Sequence, residues 1–230
     1  MSIKTKVLAA VATLTVAGGL STGLGTVETL PAIAATPQCG PNCIQIFSAK
    51  FGTNANPNFV ETVFRGVGAV GQPTILARPS SSNPAGDFIA TAPGKGLVSD
   101  FFEAGMVSAA VNEHYGSERA AQIEYAPFGE PTGLCAGLAT TAYQNEGLTL
   151  QPCSIPGTTV WIIATADSPA TAPARFPIVS GSNTVFTHPF AMTIHGNPAH
   201  KRFPQIVVQR LRGNPDHVRV DQLWGANILG

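Results

Sequence analysis

Charge is scarce in this sequence. Only 11% of its 230 residues are Asp, Glu, Lys or Arg, and 13 bases balance 13 acids. That balance removes the electrostatic case for nucleic acid as a main partner, because phosphate binding needs a surplus of basic side chains. Aromatics are few as well, at 7%, with two tryptophans among them. No long apolar run follows the N-terminal region, so no membrane span is expected beyond it; a span needs about 20 consecutive apolar residues. Familiar catalytic signatures are missing too. The chain has no His-Glu-x-x-His, and no Gly-x-Ser-x-Gly follows the first 35 residues, which removes the usual zinc-protease and hydrolase patterns.

What is present begins with a leader. Lys4 and Lys6 precede an apolar stretch at 7–20, interrupted only by Thr13, Thr15, Gly18 and Gly19, and Ala32-Ile33-Ala34 supplies a small-x-small pattern. This order is that of a secretory signal peptide. Residues 1–35 are therefore read as a leader, and 36–230 as one exported domain, soluble or held to surfaces only by binding, and expected to be monomeric. Without the leader, 11 basic and 12 acidic residues remain, a net of −1. They are unevenly spread: 100–146 holds seven acids and only Arg119, whereas 201–219 holds five bases against Asp216.

With 44% hydrophobic residues the domain can bury one sizeable core, and 24 Gly plus 19 Pro favour short strands and many turns. Four cysteines in an exported chain read as two disulfides, with three pairings open. Cys39-Gly40-Pro41-Asn42-Cys43 is a turn sequence with one residue more than a redox Cys-x-x-Cys. No histidine lies near any cysteine, so no metal and no cofactor is expected.

Period-two patterning predicts strands at 44–48, 59–64, 74–77, 87–90, 121–125, 134–138, 148–150, 159–164, 190–194, 206–211 and 220–224, separated by turn clusters such as 80–86, 93–96 and 213–216. Residues 104–115 read equally well as helix or strand. A weak repeat runs through the set. Leu76 precedes Phe88, Leu150 precedes Trp161 and Val208 precedes Trp224, each across a turn. The unit is strand, turn, strand, turn, aromatic strand. The Ala/Pro-rich stretch 164–177 marks the entry to the last unit, and 101–130 reads as an insertion or a degenerate half-repeat.

Three blocks carry a resemblance: Leu134-Cys135-Ala136-Gly137, Leu148-Thr149-Leu150-Gln151-Pro152-Cys153 and Val160-Trp161-Ile162-Ile163. Asp221-Gln222-Leu223-Trp224 adds a literal Gln-x-Trp. Together they resemble secreted actinobacterial proteins with a ricin-type (Gln-x-Trp) β-trefoil-like domain, most specifically over 129–161. The resemblance implies an all-β, trefoil-like barrel of three lobes, with a short helical insertion as an option. It pairs Cys135 with Cys153 inside the central lobe and leaves Cys39 for Cys43. Closing the former loop contributes roughly 3 kcal/mol through the unfolded state. It also makes Trp161 and Trp224 core residues, with Gln222 satisfying backbone groups near the turn.

Ricin-type lectins hold sugar with an acid just after the first cysteine and an aromatic near the end of a following strand. Here Cys135 is followed by Ala136-Gly137, and the platform positions are Ala77, Gln151 and Gln209. The usual galactose site is therefore missing in every lobe, and fold alone does not transfer activity. A binding module ranks ahead of an enzyme, with an extracellular glycan or envelope polymer, or else another secreted or surface protein, as its partner. Tyr143, Asn145 and Gln151, around the turn of the best-preserved lobe, are the candidate ligand group, offering one stacking ring and two amides. An enzyme reading would use His188, His195 and His200, with Asp216 or His217, or Glu113 and Glu118 among the carboxylates of 103–130.

Overall fold

In the computed structural model, which describes residues 39–40, 42–53, 55–169, 174–196, 205–212 and 218–228, twelve strands of three or more residues follow one another. They fall into three sets of four. The first lobe holds β1 (Cys43–Ser48), β2 (Val60–Val63), β3 (Thr74–Ala77) and β4 (Phe88–Thr91). The second holds β5 (Arg119–Tyr125), β6 (Leu134–Gly137), β7 (Thr149–Pro152) and β8 (Trp161–Ile163). The third holds β9 (Ile178–Ser180), β10 (Phe190–Ile194), β11 (Ile206–Arg210) and β12 (Trp224–Ile228).

Pairing makes these sets a trefoil. The outer strands of each lobe form a ring of six: β1 pairs β4, β4 pairs β5, β5 pairs β8, β8 pairs β9, and β12 pairs β1. Reciprocal bonds between Phe176 and Trp224, at 3.0 and 2.9 Å, close it. The inner strands form hairpins β2–β3, β6–β7 and β10–β11. These join through Thr74 N–H to Leu148 O (3.0 Å), Leu148 N–H to Ile206 O (2.8 Å) and the Ile75–Gln205 bridge. Among the described residues this pairing leaves the six-strand ring without a free edge.

The aromatic of each fourth strand fills the shared core: Phe88, Trp161 and Trp224 are at most 1% exposed and belong to one cluster. Each indole N–H finds the same kind of partner, the backbone of its own lobe's second strand. Trp161 donates to Ala136 O and Trp224 to Met192 O, both at 2.8 Å, as a buried indole requires. Gln222 donates to Thr193 Oγ1 (3.0 Å) and Arg210 O (3.1 Å) and accepts from Arg212 N–H (3.2 Å). It thereby ties its turn to the β10–β11 hairpin. Residues Val220–Gln222 form a 3-10 turn rather than the start of the last strand, with Gln222 N–H bonded back to Arg219 O at 2.8 Å.

The ambiguous stretch between the first two lobes is helical. Within 104–115 it forms α2 (Ala109–Tyr115), and a helix the sequence pattern did not show, α1 (Val98–Glu103), precedes it. Asp100 accepts from Leu97 N–H at 2.9 Å, and Ser108 Oγ caps Val111 N–H at 3.2 Å, so each helix starts on a side chain that replaces a missing intrahelical partner. Val98, Phe101, Val111 and Tyr115 cover Ala120, Val160, Ile162 and Val179 on the outside of the barrel. Alternation explains why that face is apolar: Trp161 points into the barrel and Ile162 points out beneath the helices. The insertion is thus shorter than 101–130, since β5 is a regular first strand of the second lobe. The first strands of the lobes, Ile178–Ser180 among them, complete a repeat that the sequence pattern showed with three strands per unit.

Both disulfides are formed, Cys39–Cys43 and Cys135–Cys153. The stretch expected to be a leader, residues 1–35, lies outside the described residues. No described helix is long and apolar enough to cross a membrane.

Candidate functional site

A groove of about 370 Å³ opens on the first lobe, within the range of small-molecule sites, about 300–1,000 Å³. Its floor is the outward face of β2, Val60 and Thr62, and one wall is the turn-rich segment after β3. Alternation sets this face: Thr62 turns to the groove while its neighbour Glu61 turns inward. Pro84–Gly86 is a 3-10 turn, started by Asn83, whose side chain accepts from Ala85 N–H at 3.0 Å.

Two groups at its mouth carry the chemistry. Asp87 accepts a bond from Phe128 N–H at 3.0 Å through Oδ2, and no other protein donor reaches its carboxylate among the described residues. Burial pushes the Asp87 carboxyl above its usual value, and the Phe128 N–H opposes that only in part. Phe128 is 43% exposed. Its φ of 58° lies in the left-handed region, which costs a non-glycine residue roughly 1–2 kcal/mol. The Pro127–Gly129 turn that holds it leans on the N-terminal disulfide loop: a Cβ at Gly129 would sit 3.4 Å from Gly40 N. Strain of this kind persists only where surrounding structure imposes it, and it concentrates at functional sites. The groove therefore joins a carboxylate, an outward ring, hydroxyls of Ser80 and Ser81, and the Arg78 guanidinium. Ala77, at the platform position of this lobe, lines the same groove without a ring. Phe128, from the turn after β5, brings the ring instead.

The sequence-predicted group is distributed differently. Tyr143 is 56% exposed at the tip of the β6–β7 hairpin. Asn145, at φ 67°, is nearby in the chain and accepts from Gln209 Nε2 at 2.7 Å, against the third lobe. Gln151 lies six residues further, about 20 Å along an extended strand. It pairs with Cys135, is 7% exposed and donates to Thr149 Oγ1 at 2.8 Å. Asn145 and Tyr143 thus share a hairpin tip, and Gln151 occupies the other end.

Of the histidines, His188 precedes β10 and His195 follows it, roughly 20 Å apart at strand rise. His200, Asp216 and His217 lie outside the described residues. Glu118 accepts from Thr165 Oγ1 at 3.0 Å. Glu113 and Glu118 belong to the helical flank, where burial, with Glu118 adding repulsion, raises the Asp167 carboxyl. Among the described residues no group of three His, Cys, Asp or Glu side chains is placed to hold a metal ion.

Reasoning within one lobe missed the groove, because Asp87 and Phe128 come from different lobes. The available signals were the acid directly before an aromatic strand and the bulky residue inside a Pro-x-Gly turn.

No protein-family model and no curated protein matches this chain. Among solved structures it is similar to the designed threefold-symmetric protein ThreeFoil, at a TM-score of 0.52 with 8% identity over 80% of this chain and 97% of that one. A lectin of Polyporus squamosus, bound to a human-type influenza-binding epitope, follows at TM-score 0.49 and 13% identity, covering 83% of this chain and 50% of that one. The ricin B-like lectin of Macrolepiota procera, in complex with lactose, gives TM-score 0.48 and 13% identity over 83% of this chain and 98% of that one. The likeness to the designed protein concerns fold, and together with the twelve-strand pairing it makes this chain an all-β, trefoil-like barrel.

Proposed function

We propose that this chain is an extracellular carbohydrate-binding module whose site is the Asp87–Phe128 groove. The observation that carries the reading is the convergence of an exposed ring and a carboxylate with an open oxygen, across one cleft of sugar size. A ring stacks on the apolar face of a pyranose, and a carboxylate accepts bonds from vicinal hydroxyls, which are stronger than bonds between neutral groups. The pair replaces, from other positions, the acid and ring that the ricin-type pattern would place after Cys135 and at the strand ends. Two disulfides and the leader-like first 35 residues support an extracellular setting. Tyr143, on the exposed hairpin tip, is a secondary stacking face in the same reading.

Titration of a panel of neutral oligosaccharides, followed by backbone amide shifts, tests this. Shifts should cluster on residues 78–87 and 126–129, and Asp87→Asn or Phe128→Ala should weaken binding about tenfold or more, the loss of one strong contact. Because the Asp87 carboxyl is raised, binding by the ionised form should fade as pH drops, beginning above the ordinary carboxyl range. Binding that ignores both substitutions, or no binding by any sugar, would overturn the assignment.

A further inference from the structure

A second recess, of about 460 Å³, lies on the third lobe. Its chemistry differs from that of the groove. Among the described residues Lys50, Arg212 and Arg219 line it, opposed by Asp221, a formal surplus of two positive charges with His195 counted as neutral. Asp221 is 7% exposed and its Oδ2 is bonded to the Arg219 guanidinium, so that cation is pinned to the wall by a buried carboxylate. Asp221 Oδ1 is buried with no partner among the described residues. Lys50 and Arg212 have no acidic partner among the described residues; the Lys50 ammonium sits 5.5 Å from the Phe51 ring. Two cations in one recess with no anion paired to them among the described residues offer a place where a bound anion fits.

The remaining lining narrows the ligand. Gln144, Asn145 and Gln209 bring three amides from two lobes. Their contacts are partial: Gln209 Nε2 donates to Asn145 Oδ1 at 2.7 Å, and Gln144 Oε1 accepts from Arg210 N–H at 3.2 Å. By the amide inventory, and among the described residues, this leaves the Asn145 and Gln144 NH2 groups and the Gln209 carbonyl to meet hydroxyls. Among the described residues no Phe, Tyr or Trp lines the recess, so none of them offers a nucleobase a stacking platform. The chain as a whole, near neutrality, lacks the basic surface that tracks a polyanion backbone. What fits is a compact polyhydroxylated ligand with one anionic group.

We infer that this recess is a second binding site, selective for sugar units that carry a carboxylate or a phosphate. The anion sits against Lys50 and Arg212, and ring hydroxyls meet the amides of Gln144, Asn145 and Gln209. The inference stands on this recess and does not require the groove to bind sugar.

Its test is a parallel titration of the whole chain with glucose, glucuronate, glucose 6-phosphate and inorganic phosphate, at low and at moderate salt. Glucuronate, glucose 6-phosphate or both should bind, shifting the amides of 144–145 and 209–212, while glucose leaves these unmoved. Affinity should fall as salt rises. Lys50→Gln and Arg212→Gln should each weaken binding about tenfold, the loss of one charge-assisted contact. Phe128→Ala should leave it unchanged, so failure here is distinguishable from failure of the groove. Preference for one of the two charged sugars identifies whether carboxylate or phosphate is the natural anion. Glucose binding as tightly as glucuronate, inorganic phosphate as tightly as glucose 6-phosphate, or affinity indifferent to salt and to both substitutions would each overturn the proposal.

Discussion

Glu61 makes the stability of this protein depend on pH in an unusual direction. It lies on β2 opposite Leu76 of β3, fully buried, on the inward face of a hairpin whose other face floors the groove. Neither of its oxygens has a hydrogen-bond partner among the described residues. Burial pushes its carboxyl from 4.5 up to about 7; the nearby Thr74 hydroxyl opposes this only weakly, falling short of a formed bond. The folded state therefore holds the Glu61 proton over a range where the unfolded chain has released it. Stability from this group is fully present below about 4.5 and is lost as pH rises through about 7. At 1.36 kcal/mol per unit, the loss is about 3 kcal/mol, a large part of a typical folding free energy of roughly 5–15 kcal/mol. Glu61→Gln keeps the shape of the neutral acid and cannot ionise. Urea denaturation of both forms at pH 4 and pH 8 reads the difference directly. The two should match at pH 4. At pH 8 the variant's midpoint should lie higher by about 1.5 M, taking a slope near 2 kcal/mol/M. Asp87, Asp167 and the other titrating groups are common to both proteins and cancel in the comparison. A midpoint difference that is the same at both pH values would refute the reasoning, because it would mean that Glu61 is either already solvated or paired.

Phe128→Gly should leave stability within about 1 kcal/mol of the parent or raise it, since relief of the left-handed φ offsets the extra freedom of glycine, while oligosaccharide binding at the groove is lost; a clear fall in melting temperature would make Phe128 a packing residue instead. Replacing Cys135 and Cys153 together by alanine should cost about 3 kcal/mol in chemical denaturation, the entropy of an 18-residue loop, and an unchanged midpoint would contradict it. Trp161→Ala and Trp224→Ala should each cost about 3–5 kcal/mol; a variant that melts like the parent would show that its indole is not in the core. Gln222→Ala should cost less than either Trp change, about 1–3 kcal/mol, because it leaves the Arg212 N–H and nearby backbone groups unpartnered, and calorimetry on the three variants orders them.

Much of the fold was legible because its signals are local. Alternation, turn clusters and the spacing of Phe88, Trp161 and Trp224 are set by strand geometry and recur once per lobe. The resemblance of the central lobe supplied the pairing of the two disulfides, which the residues alone left open. Other elements were hidden for equally physical reasons. Residues 109–115 carry a pattern that suits helix and strand alike, and the helix prevails because Ser108 caps it and because Val111 and Tyr115 find the outer faces of β5 and β8 to cover. Ile178–Ser180 is three residues long, too short to show a period, and becomes a strand because it closes the ring between β8 and the start of β12. Gln151 reads as an exposed amide beside a turn, yet on the strand face opposite the core residue Leu150 it is only 7% exposed and donates to Thr149.

The residues by themselves determined the class of molecule: a low-charge, turn-rich β-chain with four cysteines and three aromatics at repeating positions. Those properties are matters of composition and period two, readable along the chain, and the ricin-type resemblance added the disulfide pairing and the burial of both tryptophans. Tertiary structure alone decided where chemistry gathers. Asp87 meets Phe128 across 41 residues, and Asn145 meets Gln209 across 64, because threefold closure places the turns of neighbouring lobes side by side. A contact between lobes leaves no period or spacing in the sequence, so the groove and the basic recess exist only once the barrel has closed.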